Sequence, residues 1–341
     1  MLVVPWTAEG GWGEPKIQPY GPFSFQPSSV VFHYALTLFE GLKAYKDPQG
    51  NVRLFRPDMN AARMNRSAER ISLPTFDGDE LVKLLKKVVD IDSHWVPEKE
   101  GYSLYLRPTL IGTEPSLGVG ATSEALLYVI MSPVGPYYSS GVKPVALEAN
   151  PNRVRAWPGG SGDAKLGANY GPCIIAQREA ATKGYQQNLW LFGDEHYLTE
   201  VGTMNLFVVL KRDDGSLDVV TPPLNGMILP GVTRDSVLCL LRSHESGEST
   251  LPNLPKIHVA EREMKMQELV DAAEQSKLVE VFGAGTAAVI SPVDRIGYLG
   301  KDIEVPVTKS GFGPVAEVVL DRLSAIQWGK VEHPWSVPVK E

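Results

Sequence analysis

Apolar positions recur at helical spacing in DGDELVKLLKKVVDI, residues 77–91, where Leu81, Leu84, Leu85, Val88 and Val89 fall on one side behind an acidic start. This predicts an amphipathic helix with one buried face. Upstream, FHYALTLFEGLKAYKDPQGNVRLFR, residues 32–56, holds two strand-like runs joined by a Pro/Gly turn at 48–50. SLYLRPTLIG (103–112) and ALLYVIMSPV (125–134) read as further strands. The first part of the chain is thus expected to be a small α+β domain, residues 1–136, followed by an interdomain loop, 137–146, and a larger domain, 147–341. In the second half, GPCIIAQREAATKG (171–184) has a proline near its start and a glycine at its end, the asymmetry of a helix. NLWLFG, NLFVVLK and LDVVTPP then read as strands, the last two joined by a DDG turn, which predicts largely antiparallel sheet. LPGVTRDSVLCLLRS reads as loop then helix, and KLVEVFGAGTAAVISPV as strand, glycine turn, strand. No internal repeat is evident.

With 341 residues and 43% hydrophobic side chains, the chain can bury a real core in roughly two domains. The net charge of −7 without a basic block argues against a nucleic-acid or anionic-membrane partner, because both need clustered Lys/Arg. The two cysteines, Cys173 and Cys239, make neither a disulfide framework nor a metal site, so no metal is expected and a reducing compartment fits. Both lie in helical patterns, Cys239 within the apolar run SVLCLL, and both are expected to pack as small hydrophobes. The longest clean apolar run, ALLYVIM, is far below the ~20 residues of a membrane span. MLVVPWTAEGGW lacks the pattern of a signal or organelle presequence, so no targeting segment is expected and the setting is cytoplasmic or the mitochondrial matrix. NRS at Asn65 matches a glycosylation acceptor, a short pattern read as chance.

Candidate chemistry gathers around GGSGDAKLGANYGPC, residues 159–173, where one lysine stands among five glycines. Glycines on both sides of Lys165 would let the backbone approach a bulky planar ligand closely, though a flexible surface loop would look similar. The helix start at Gly231–Thr233 and the turn GAGTAA expose backbone N–H groups of the kind that hold phosphate, and simple capping would explain the first as well. GAGTAA also matches a dinucleotide fingerprint, but a strand rather than a helix is expected to follow it, which excludes that reading. A lone lysine beside a phosphate cup suits a Schiff base with pyridoxal 5'-phosphate, for which burial must lower the amine pKa from ~10.4. An acidic partner for the cofactor's ring nitrogen is then also needed.

GGSGDAKLGANYG, YLTEVGTMNLF, TPPLNGMILPGVTR and VFGAGTAAVISPV, in this order, resemble the branched-chain amino-acid aminotransferases of pyridoxal-phosphate fold type IV. HYALTLFEGLKAY, RLFRPDMNAARMNRSAERISLP and SLYLRPTLIGTEPSLGVG resemble that family's small domain, in the form found in animals and fungi; the likeness runs from about Trp6 to about Trp328. The resemblance implies an α+β small domain and a larger pseudo-barrel domain, with the cofactor between them and a homodimer completing the site. It implies that Lys165 carries the cofactor and moves the Cα proton, that Glu200 pairs with the ring nitrogen, and that Tyr170 bonds the ring's phenolic oxygen. Arg63, Thr203, Val232, Thr233 and Thr286 would complete the cofactor site, Arg63 meeting the phosphate with a forked donor. Substrate would meet Tyr34, Phe39, Tyr105 and Tyr137, with Val119 from the partner subunit. Arg107 would meet the distal carboxylate of glutamate, and Thr286, Ala287 and Tyr105 the α-carboxylate. The implied reaction moves the amino group of leucine, isoleucine or valine to 2-oxoglutarate. D-amino-acid or amine transaminases and aminodeoxychorismate lyase share the lysine and glutamate, and a non-catalytic cofactor-binding protein is a further alternative. Animal members carry a C-x-x-C pair after the glycine turn; Ala288 and Ser291 stand there in this chain, so no thiol switch is expected at that place.

Overall fold

A computed structural model describes residues 1–135 and 143–340. The chain divides into two compact units, Met1–Pro136 with Ala164–Tyr170 and Ala325–Glu341, and Tyr137–Asp163 with Gly171–Ser324. The first unit begins with β1 (Leu2–Thr7), β2 (Gly11–Trp12) and β3 (Lys16–Ile17), then α1 (Val30–Tyr34) and β4 (Thr37–Phe39). It continues through β5 (Leu42–Lys46), β6 (Val52–Phe55), α2 (Pro57–Arg70), α3 (Gly78–Ile91), β7 (Ser103–Gly112) and β8 (Glu124–Val134). The strand-like stretch of residues 32–56 forms β4, β5 and β6, while its first residues, Phe32–Tyr34, close α1, and Ala35, in the left-handed region at φ 50°, turns the chain into β4. The turn at 48–50 is where expected, with the Asp47 carboxylate accepting the N–H groups of Gln49 and Asn51. In α3, Asp77 caps the N–H groups of Asp79 and Glu80, and Leu81, Leu85, Val88 and Val89 are buried. These side chains join Leu38, Leu104, Leu106 and Leu110 from the sheet in one core. Helix α2 buries Asn60, Arg63, Met64 and Ser67, so its inner face carries polar groups as well as apolar ones.

The second unit runs β9 (Val145–Ala149), α4 (Cys173–Thr182), β10 (Gln187–Phe192), β11 (Tyr197–Val201), β12 (Met204–Lys211) and β13 (Leu217–Thr221). Then come α5 (Val232–Ser246), β14 (Ile257–Glu261), α6 (Met266–Glu274), β15 (Leu278–Gly285), β16 (Val289–Tyr298), β17 (Lys301–Glu304) and α7 (Pro314–Gln327). Strands β11, β10, β9, β16, β15 and β12 are hydrogen-bonded in that order, and β12 returns to β11, closing a six-stranded barrel. That last seam is two residue pairs long, Glu200 opposite Asn205 and Val201 opposite Met204, across a turn at Gly202 and Thr203. Phe207 and Phe282, stacked at 5.0 Å, are wholly buried on β12 and β15. Buried Glu280, also on β15, accepts the first N–H groups of α7 from Val315 (2.6 Å) and Ala316 (3.2 Å). The chain ends in the first unit as β18 (Ser336–Pro338), antiparallel to β6. Among the described residues no helix is long and apolar enough to cross a membrane, and no three His, Cys, Asp or Glu are grouped to hold a metal ion.

Candidate active site

In the first unit, β4 holds two neighbours. On one edge Phe39 lies opposite Thr109 of β7; on the other, Leu38 bridges to Leu166 and the Phe39 N–H donates to the Lys165 carbonyl at 3.1 Å. The Lys165 N–H donates to Ser67 Oγ of α2, so the lysine backbone is tied to two elements. Its amine donates to the Tyr170 hydroxyl at 3.0 Å and sits 4.8 Å from the centre of the Phe39 ring. The residue keeps some exposure, yet its amine lies among buried groups. Burial first, then the Arg63 charge, pull it down to about 8, while Glu40 and Tyr105 oppose the fall. The Arg107 guanidinium lies 4.9 Å from the Phe39 ring centre and 5.0 Å from that of Tyr105 and donates to the Tyr105 hydroxyl, while its buried Nε has no hydrogen-bond partner among the described residues. Gly41 makes room for this arrangement, since a Cβ there would stand 2.0 Å from the Tyr105 oxygen. Tyr34 and Val119 are exposed, and Tyr34 donates to the Leu117 carbonyl on the loop that carries Val119.

In the second unit, Glu200 is buried on β11. One carboxylate oxygen accepts from Asn205 Nδ2 (3.1 Å) and the Leu229 N–H (3.2 Å), and the other meets the Arg155 guanidinium at 2.6 Å. The carboxylate is thus held by a buried cation and two neutral donors. Asn205 also donates to the Leu229 carbonyl and packs on Gly231, where a Cβ would come within 2.0 Å of its oxygen. Gly231 is the N-cap of α5 and brings no side chain to cap it, so the N–H groups of Val232 and Thr233 begin the helix without a side-chain acceptor from that position. This is the arrangement an anion satisfies. Thr286 and Ala287 lie in the turn between β15 and β16, so the excluded dinucleotide fingerprint is indeed strand, turn, strand. Val289, just after it, is left-handed at φ 61°, a strained conformation for a β-branched residue. Thr203 is exposed in the β11–β12 turn. Tyr137 lies outside the described residues.

Two expectations are corrected. Two of the glycines beside Lys165 make room for protein rather than ligand, since a Cβ on Gly162 would meet Ala156 and the Met227 carbonyl at 2.4 Å and one on Gly167 would meet Thr37 at 2.7 Å, whereas a Cβ on Gly159 would meet nothing within 4 Å. Cys239 is exposed rather than packed, and only Cys173 is half-buried, its thiol pushed up by that burial. Two charged residues of the site, Glu40 and Arg155, went unnoticed in the sequence. Glu40 accepts the Arg63 guanidinium at 2.7 and 2.8 Å. No local pattern marks either, because charged residues default to the surface unless a distant partner is known.

The model for class IV amino-transferases matches residues 37–296. The chain is 53% identical to the mitochondrial branched-chain-amino-acid aminotransferase of Saccharomyces cerevisiae, over all of this chain and 86% of the relative. It is 48% identical to the cytosolic enzyme of that name from Mus musculus, over 99% of this chain and 85% of the relative. Among solved structures, the branched-chain aminotransferase of Thermoproteus uzoniensis with norvaline superposes at a TM-score of 0.73 with 26% identity, covering 93% of this chain and 94% of that one. The branched-chain amino acid aminotransferase of Escherichia coli does so at 0.71 with 25% identity, again covering 93% and 94%. A lysine amine lowered by burial, a buried carboxylate gripped by an arginine and an uncapped helix start thus occur in a chain that belongs to the class IV aminotransferases and, within them, to the branched-chain amino-acid aminotransferases of animal and fungal type.

Proposed function

We propose that this protein reversibly transfers the amino group of leucine, isoleucine or valine to 2-oxoglutarate, giving branched-chain 2-keto acids and glutamate, with pyridoxal 5'-phosphate as cofactor. The observation that carries the reading is the Lys165 amine, brought down to about 8 and aimed by the Tyr170 hydroxyl across the Phe39 ring. The residues present fit the cofactor: an uncapped helix start and a buried arginine for its phosphate, a held carboxylate for its ring nitrogen, and a lysine that is neutral in part near neutral pH. When bound, the cofactor supplies a conjugated ring that accepts the electron pair left when the substrate Cα–H bond breaks. Lys165 would take that proton and return it to the other carbon. Glu200, held by Arg155, would accept the ring N–H, and Tyr170 would donate to the phenolic oxygen. Arg63, Thr203, Val232, Thr233 and Thr286 would hold the rest of the cofactor.

For the substrates, Phe39 and Tyr105 give an apolar wall to the branched side chain, and Arg107 offers glutamate's distal carboxylate a cation whose Nε has no acceptor among the described residues. Thr286, Ala287 and Tyr105 would take the α-carboxylate, and Tyr137 would join the wall. Exposed Tyr34 and Val119 fit the boundary of a homodimer, with Val119 reaching the partner's pocket. The cytosol or the mitochondrial matrix suits the chemistry, and relatives of both kinds exist. The test is an assay of L-leucine, L-isoleucine, L-valine and D-alanine with 2-oxoglutarate, on the wild type and on Lys165→Ala. The L-substrates should turn over and D-alanine should not, and Lys165→Ala should lose at least about a thousandfold. Faster turnover of D-alanine than of L-leucine, or full activity in Lys165→Ala, overturns the reading.

A further inference from the structure

Glu40 follows Phe39 directly and is 1% exposed. Its N–H donates to the Pro108 carbonyl of β7 at 2.8 Å, which fixes the backbone, and its carboxylate turns toward α2. Oε1 accepts Arg63 Nε at 2.7 Å; Oε2 accepts Arg63 Nη2 at 2.8 Å, Asn60 Nδ2 at 2.7 Å and the Gly41 N–H at 3.1 Å. A buried ion pair of this kind adds little stability over well-packed apolar side chains, so stability alone does not account for it. Its surroundings do. Within this unit the charged and titratable groups facing Lys165 are Arg63 from α2, Tyr105 and Arg107 from β7, Tyr170, and Glu40, the one carboxylate among them.

We propose that Glu40 is a positioning residue: it grips the Nε–Nη2 edge of Arg63, so that the guanidinium has one orientation toward the cofactor's phosphate, and it offsets the Arg63 charge beside Lys165. This rests on the proposed role of Arg63 at the phosphate. The two effects are coupled through one side chain. Burial favours the uncharged form of Glu40, but the Arg63 charge and hydrogen bonds outweigh it and hold the carboxyl below its usual range. The pair is therefore fully charged wherever the protein is folded near neutral pH. At Lys165 the Arg63 charge pulls the amine down and Glu40 pulls it up. Removing the carboxylate charge while keeping its shape should loosen Arg63 and depress the lysine further.

The test compares Glu40→Gln, Glu40→Asp and Asn60→Ala with the wild type, all stripped of cofactor, in binding of pyridoxal 5'-phosphate and of phosphate-free pyridoxal by fluorescence titration. In Glu40→Gln the phosphorylated form should weaken by about tenfold to a hundredfold and pyridoxal by less than about threefold, the range set by a charge-assisted pair. Asn60→Ala should show the same selectivity at smaller size. A second readout is the pH midpoint of Lys165 acetylation by acetic anhydride, followed by peptide mass spectrometry. It should move to lower pH in Glu40→Gln and return toward the wild-type value in Glu40→Asp. Equal weakening of both ligands, or an unmoved acetylation midpoint, overturns the proposal. If Glu40→Gln does not fold, Asn60→Ala and Glu40→Asp decide it by the same ratio, unchanged selectivity in both being the overturning result. A wild type that binds pyridoxal as tightly as its phosphate would instead overturn the phosphate role of Arg63.

Discussion

Among the described residues the buried Nε of Arg107 has no acceptor, and its guanidinium lies near the rings of Phe39 and Tyr105. A cation placed in this way will favour a ligand that brings its own carboxylate. Arg107→Met keeps an apolar stem but removes the charge, and should lower kcat/KM for glutamate by about a hundredfold, the loss expected when a buried charge partner is removed. Leucine should fall by less than about fivefold, and equal losses for both substrates would refute the assignment. Glu200→Gln keeps the bonds from Asn205 and the Leu229 N–H but removes the charge that Arg155 holds. Single-turnover proton abstraction should slow by at least about tenfold, more than cofactor retention weakens; an unchanged rate would remove Glu200 from the chemistry. Lys165, Tyr170, Arg107 and Glu200 could all be singled out in the sequence because each stands in a long motif. Glu40 and Arg155 could not, since what defines them is a partner more than 20 residues away.

Among the elements, Glu280 shows a strand residue serving as the cap of a helix that starts 34 residues later. Gly313 is what admits the carboxylate, for a Cβ there would lie 2.0 Å from its oxygen. Burial pushes Glu280 up to about 7, against the two N–H donors that pull it down. Between about pH 4.5 and 7 the folded protein therefore keeps a proton that the unfolded chain has released, and this group makes the fold less stable as pH rises through that window. Glu280→Gln removes the titration, so its stability relative to wild type should rise by up to about 3 kcal/mol from pH 4.5 to 7. Urea denaturation at several pH values measures this, and a constant difference would refute it. Helix α3 and strands β7 and β8 were legible because their period and caps are local. α1 was not: a five-residue helix has too little period to register against the β-branched and aromatic run it occupies.

For the whole molecule, the order of the chain matters more than its composition. Residues 164–170 and 325–341 group with the first unit, and Ala164, Leu166 and Val339 are part of its core. No periodic signal announces such a return, because it is a contact across more than a hundred residues and not a local preference. A fragment of residues 1–136 would leave those positions of the core unfilled and β6 without β18. It should unfold at lower denaturant than the corresponding transition of the full chain, or aggregate, by circular dichroism and light scattering; native-like stability would show that the returning segments contribute little. The barrel of the second unit has the opposite character, since every one of its six strands has two neighbours. Two of its seams are only two pairs long, β9 with β10 and β11 with β12, and in the second Glu200 lies opposite Asn205, so that one pair joins the carboxylate to the amide that holds it. A fluctuation that parted this seam would at once bare two sticky strand edges and release the anion, so an inactive protein molecule and an aggregation-prone one would be the same transient species. Loss of activity on storage and growth of insoluble material should then follow a single clock.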